Sequence, residues 1–173
     1  CGSSVLNKNT GRVYRIMPIQ SRAENWDGRF GDLEQMSDIQ LARMQTSQSD
    51  WHARRSRIIL QHRASKDGIK QEAVTLLEDL LNDDQNENIR LKALWTLHIT
   101  NNLGEARLIS LLNDYDPYIR TWAIRFLVEN GSPSSQVTNR LVNLAKNESF
   151  PVVRLELAAA LQRIDEKDRW ALA

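Results

Sequence analysis

The sequence predicts an all-α fold: a right-handed α-α superhelix of about four helix pairs stacked as a solenoid, led by a short N-terminal β-hairpin or extended tail. Repetition carries that prediction. Asn86-Glu-Asn-Ile-Arg-Leu-Lys-Ala-Leu-Trp-Thr-Leu97 returns as Asp116-Pro-Tyr-Ile-Arg-Thr-Trp-Ala-Ile-Arg-Phe-Leu127 and as Phe150-Pro-Val-Val-Arg-Leu-Glu-Leu-Ala-Ala-Ala-Leu161, with a fainter copy at Asp50–Leu60. Each clear copy is a turn, a β-branched residue, an arginine and an Ala/Leu-rich helix. The arginines Arg54, Arg90, Arg120 and Arg154 lie 36, 30 and 34 residues apart, the spacing of units that bury their apolar faces only by stacking on one another.

The first segment does not read as helix. Residues 1–20 hold Ser4-Val-Leu6, a turn at Asn7-Lys-Asn-Thr-Gly11, and Arg12-Val-Tyr-Arg-Ile-Met17 closed by Pro18, which reads as strand, turn, strand. A lone hairpin is marginal in water, so it is expected to belong to a preceding sheet or to dock on the helices. Residues 21–36 show no period and read as a linker, with Trp26, Phe30 and Leu33 as anchors onto the first helices.

The repeats are expected over residues 37–173. Ser37-Asp-Ile-Gln40 has capping-box spacing and opens a helix using Ile39, Leu41 and Met44. Asp50 is expected to cap the next helix, which runs to Ala64 and is broken by Gly68. Ile69–Leu81 buries Ala73, Leu76, Leu77 and Leu80. Glu87–Thr100 and Gly104–Leu112 follow, and Asp116-Pro117 supplies an N-cap and a first-turn proline. Gly131 stands where a C-cap glycine belongs. Ser134–Lys146 and Pro151–Ile164 form the last full pair, and residues 167–173 look like the start of another repeat.

Counting from each arginine, positions −1, +3, +4 and +7 share one helix face. They are Ile89, Ala93, Leu94, Leu97; Ile119, Ala123, Ile124, Leu127; and Val153, Leu157, Ala158, Leu161. These columns are the expected core. Six residues before the arginine stands an acid: Asp84, Asp114 or Glu148, with Gln48 in the first repeat. The acid can accept backbone N–H groups in its turn, or pair with the arginine of its own or a neighbouring repeat. Arg54, Arg90, Arg120 and Arg154 with Asp84, Asp114 and Glu148 therefore read as a structural ladder, because groups recurring in every repeat serve stacking. In the first repeat the core phase shifts to Ser56, Ile59 and Leu60.

Positions +2, +5 and +9 form the outward face: Lys92, Trp95, Ile99; Trp122, Arg125, Glu129; Glu156, Ala159, Arg163. Trp beside Arg on adjacent repeats is typical of interface hot spots, so Trp95, Trp122, Lys92 and Arg125 are the candidate partner-binding residues. The bland alternative folds both rings into grooves between repeats.

Several functions find no support. The net charge of +1 exerts no general pull on nucleic acid or acidic lipid. The basic run His52, Arg54, Arg55, Arg57, His62 and Arg63 lacks the interleaved aromatics of a nucleic-acid surface and reads as a solvated face or domain contact. The single cysteine, Cys1, forms no internal disulfide, and His52, His62 and His98 stand apart from any metal-ligand spacing. No Gly-rich phosphate loop, haem-attachment motif or nucleophile–base set is present, so this segment is expected to carry no catalytic residue, no metal and no cofactor. No apolar stretch is long enough to span a membrane, and a monomer is expected.

The repeated Asp-x-x-Val/Ile-Arg turn and helix resembles the HEAT repeat, and the expected fold is HEAT/armadillo-like. A narrower resemblance rests on Asn9-Thr-Gly-Arg-Val-Tyr-Arg-Ile16, Met36-Ser-Asp, Ser49-Asp-Trp-His-Ala-Arg54 with Leu60-Gln-His-Arg-Ala64, Arg90–His98, Tyr118–Arg125, Val153-Arg154 with Leu161-Gln-Arg163, and Arg169-Trp170. This succession resembles the middle of large bacterial proteins described as membrane-bound dehydrogenases, which join a sugar-dehydrogenase-like β-propeller, a HEAT segment and a cytochrome c domain. The resemblance implies that residues 1–20 end a propeller and that redox chemistry lies in the flanking domains. It also implies a periplasmic or extracytoplasmic location, with membrane association through the parent protein. The partners it implies are those flanking domains or another protein. Cys1 then reads as a cut within a longer chain in preference to a lipoprotein cysteine. A HEAT protein that binds nucleic acid, such as a repeat-type DNA glycosylase, is the remaining alternative.

Overall fold

The structure, a computed structural model, describes residues 31–83, 85–166, 169 and 170. The hairpin expected at 1–20, most of the linker, and Asp84 lie outside the described residues. Contacts divide the chain into a unit of Cys1–Gly31 and a unit of Asp32–Ala173; the second is described below.

Among the described residues its bounded α-helices are α1 (Asp38–Arg43), α2 (Asp50–Ala64), α3 (Gln71–Leu81), α4 (Glu87–Ile99), α5 (Glu105–Leu111), α6 (Pro117–Leu127), α7 (Ser135–Asn147) and α8 (Pro151–Ala160). No strand occurs among the described residues. Odd and even helices pair in sequence, α1 with α2 through α7 with α8, and α2, α4, α6 and α8 touch in succession as one layer. The all-α solenoid of helix pairs follows from this arrangement.

Local chemistry fixes the helix starts. At α1 the Ser37 hydroxyl accepts from Gln40 N–H at 3.4 Å while Gln40 Oε1 accepts from Ser37 N–H at 2.8 Å, the reciprocal bonds of a capping box. Asn86, Asp116 and Ser134 cap α4, α6 and α7 by accepting from Ile89, Tyr118 and Val137 N–H, and Pro117 and Pro151 stand in the first turns of α6 and α8. Asp50 is not the cap of α2. Ser49 is, and Asp50 is the first helical residue. Its carboxylate is engaged elsewhere, as described below.

The helix ends also differ from expectation. α4 closes with Asn101 at φ 58°, Asn102 N–H donating to Leu97 C=O at 2.9 Å and Asn101 N–H to His98 C=O at 3.0 Å. This is a Schellman closure with asparagine in the place glycine usually takes. Gly131, at φ 107°, lies three residues beyond the C-cap Val128. α8 stops at Ala160, and Leu161–Arg163 tighten into a 3-10 turn.

The core is one column of buried aliphatics running through the unit, from Leu33 and Leu41 through Leu77, Leu94, Ile124 and Leu141 to Ile164. Leu33 is buried within the 3-10 turn Leu33–Gln35, so the end of the expected linker is part of the helical unit. Of the expected columns, Ala93, Leu94, Leu97, Ile119, Ala123, Ile124, Val153 and Leu157 are buried, while Ile89, Leu127 and Leu161 are half-buried. Ala158 is exposed, and Ala160 is the buried alanine of α8.

The arginine ladder and the candidate partner-binding face

Two arginines fasten successive helix pairs together. Arg90 of α4, 3% exposed, donates from Nε to the Leu81 carbonyl at the end of α3 (2.8 Å), and from Nη1 and Nη2 to both oxygens of Asp114 (3.1 and 2.6 Å). Arg120 of α6 repeats the arrangement. It donates to the Asp114 and Tyr115 carbonyls at 2.7 and 3.2 Å and to both oxygens of Glu148 at 2.9 and 3.0 Å. Each guanidinium thus grips the turn of its own pair and the carboxylate of the following one. The planar fork matches a carboxylate bidentately.

The acids serve their own turns as well. Asp114 accepts from Asp116 N–H at 2.9 Å and Glu148 from Phe150 N–H at 2.8 Å. In the turn before α4, Asp83 accepts from Gln85 N–H. Burial alone would raise the Glu148 carboxyl. The hydrogen bond and charge of Arg120, with the Phe150 and Ser149 N–H groups, outweigh burial and hold it below its ordinary range. Burial likewise works against the charge on Arg90, and Asp114 more than restores it, leaving the guanidinium raised.

The ends of the expected ladder differ from its middle. Arg54 and Arg154 are exposed and belong to no ion pair among the described residues. In α2 it is Ala53, beside Arg54, that is buried, with Ser56, Ile59 and Leu60. An aromatic ring covers each rung, a contact that repeat spacing alone does not reveal. Tyr115 lies over the Arg90 guanidinium at 4.6 Å, and Phe150 over that of Arg120 at 5.2 Å. Their signal is an aromatic one or two residues after the ladder acid and just before the first-turn proline.

On the layer formed by α2, α4, α6 and α8, Trp95 and Trp122 meet edge to face, with centroids 5.2 Å apart at 73°. Both rings are half-buried, as is Lys92. Arg125 lies over Trp122 at 4.7 Å and donates to Glu156 of α8 at 3.1 and 2.7 Å. That bond, stronger than the opposing effect of burial, raises the Arg125 guanidinium. Lys92 reaches back to Asp50 of α2 at 2.9 Å. Its hydrogen bond and charge hold the Asp50 carboxyl below its ordinary value. His98 stacks flat on Phe126, 3.5 Å between centroids, and contacts Glu129 at 2.7 Å. The four candidate residues therefore lie in one seam of contacts that crosses from pair to pair.

The sequence matches the family described as HEAT repeats over residues 74–162, just over half of the chain. The chain belongs to the HEAT-repeat family. The matched span runs from α3 to the end of α8, so it contains both ladder rungs and both tryptophans of the seam. No curated protein and no solved structure matches the chain. Among the described residues, no helix of this HEAT unit is long and apolar enough to cross a membrane, and no three His, Cys, Asp or Glu side chains are grouped to hold a metal ion.

Proposed function

We propose that this HEAT-repeat chain is a non-catalytic scaffold that engages a protein partner through the α2–α4–α6–α8 layer. The observation that supports it is the half-buried Trp95–Trp122 pair, with Arg125 over the Trp122 ring. Aromatic and arginine side chains grouped at the centre of a repeat surface are the composition of an interface hot spot. The ladder is turned to stacking and leaves this layer free for recognition. Replacing Arg125 with a photoreactive residue should cross-link the partner, and Trp122→Ala in the same chain should abolish the product. A Trp122→Ala chain that cross-links as efficiently as its parent would overturn the reading.

The finer proposal is that the chain is the middle of a larger bacterial membrane-bound dehydrogenase, outside the cytoplasm, with a propeller and a c-type haem domain as neighbours. It rests on the ordered motifs from Asn9-Thr-Gly-Arg-Val-Tyr-Arg-Ile16 to Arg169-Trp170. In that setting the repeats position the propeller active site relative to the haem. Reading the surrounding open reading frame tests it. A propeller upstream and Cys-x-x-Cys-His downstream are expected; a stop codon directly after Ala173 would remove the proposal.

A further inference from the structure

The basic run of α2 divides in two. Arg55 bonds Glu34 at 2.9 Å, and Arg63 bonds Asp38 at 2.7 Å and the Glu34 carbonyl at 2.9 Å. Arg54 and Arg57, neighbours one turn apart, belong to no ion pair among the described residues. Arg57 is half-buried, donates one bond to Gln45 Oε1 at 3.3 Å, and has no acceptor for its Nε. Its guanidinium lies 5.2 Å over the Trp95 ring, whose Nε1 also lacks an acceptor.

Asp50, the carboxylate whose charge reaches both arginines, is already bonded by Lys92 at 2.9 Å. Three cations, Arg54, Arg57 and Lys92, therefore share one carboxylate. Burial first, and Arg54 second, push the Arg57 guanidinium below its ordinary value, against the pull of Asp50. Buried donors are seldom left unmatched, and a desolvated cation with no carboxylate bonded to it is costly. The place lacks an acceptor carrying negative charge. Ile58, one turn on from Arg54 and 54% exposed, sets an apolar contact beside it.

We propose that Arg54, Arg57 and the Trp95 indole form a receptor for a carboxylate side chain of an acidic partner segment, with Ile58 receiving an apolar neighbour of that carboxylate. Arg57 Nε and Trp95 Nε1 are both buried, so the carboxylate reaches them as the Arg57 side chain swings off the ring. The inference rests on the partner-binding reading of this layer and names the chemistry of the partner. A nucleic-acid backbone fits less well, because it brings no aliphatic side chain to the exposed Ile58 and draws its affinity from many phosphate contacts, where this place offers two arginines.

The test is fluorescence anisotropy of a labelled oligo-glutamate peptide carrying one leucine, titrated with the full chain. Saturable binding that weakens with salt is expected, with none for the oligo-glutamine counterpart. Arg57→Gln should weaken it about tenfold. Arg54→Glu, at an exposed position where folding is not at risk, should abolish it. Arg140→Gln, on the exposed surface of α7, should leave it unchanged. No saturable binding, equal binding by Arg54→Glu, or tighter binding of single-stranded DNA than of oligo-glutamate would each overturn the inference. Cross-linking from position 125 without oligo-glutamate binding sinks this inference alone. Oligo-glutamate binding without any cross-linked protein sinks the partner reading and leaves the carboxylate site.

Discussion

Arg90 and Asp114, 24 residues apart in the chain, meet through two hydrogen bonds of 3.1 and 2.6 Å, and this contact joins the second helix of one repeat to the turn of the next. Both side chains are nearly inaccessible, at 4% and 11%, so loss of one partner strands the other. Arg90→Ala is expected to destabilise the unit by about 3 kcal/mol in urea unfolding. The double change Arg90→Met with Asp114→Leu should cost about 1 kcal/mol, because it removes both desolvated charges together.

Glu148 gives the ladder a pH dependence. Its folded carboxyl lies below the ordinary value of 4.5, so the unfolded chain takes up the proton first. The stabilisation is complete above that value and disappears as pH falls through the folded one. Unfolding midpoints should drop on going from about pH 5 to about pH 3, and Glu148→Gln should flatten that part of the profile. A profile unchanged by Glu148→Gln would show that other carboxylates set the acid limb.

Trp95 should tolerate phenylalanine unusually well. Its Nε1 is buried without an acceptor, so Trp95→Phe deletes an unmet donor while keeping a ring against Trp122. The expected change is within about 1 kcal/mol. Trp95→Ala should cost about 3 kcal/mol. Thermal melts of both variants would separate the ring's packing from its polar edge.

Asn101 offers a stabilising change. It holds φ 58° at the end of α4, a conformation glycine adopts without steric cost, and Asn101→Gly should raise stability by about 0.5 kcal/mol. Gly68, at φ 78° with nothing within 4 Å of an added Cβ, supplies the converse. Gly68→Ala should lower stability by about 1 kcal/mol through backbone strain alone. Calorimetric midpoints moving in opposite directions would check the pair.

The sequence revealed the core because burial imposes a period. Leu94, Ile124 and Leu157 occupy helix faces that only stacking can cover, and their spacing carries that requirement. Caps were legible for the same local reason, as Ser37 with Gln40 and Asp116 before Pro117 show. What escaped was decided across repeats. Asp114 has the same spacing whether it serves Arg120 of its own repeat or Arg90 of the one before, and only the stack's geometry selects Arg90. Ala53 and Arg54 are adjacent, and the phase of α2 against its neighbours settles which faces inward. The unmatched donors of Arg57 and Trp95 are features of distance, 38 residues apart in the chain, and leave no trace in spacing.

The arginine of each rung sits on one repeat and its carboxylate on the next, which gives the stack a polarity. The α5–α6 unit carries both halves, the Asp114 carboxylate toward the pair before it and the Arg120 guanidinium toward the pair after. A segment excised just after one arginine and ending just after the next is a self-consistent module: inserted or deleted whole, it restores the junction it interrupts. Length is then a quantity that gene duplication can adjust without redesigning a single contact.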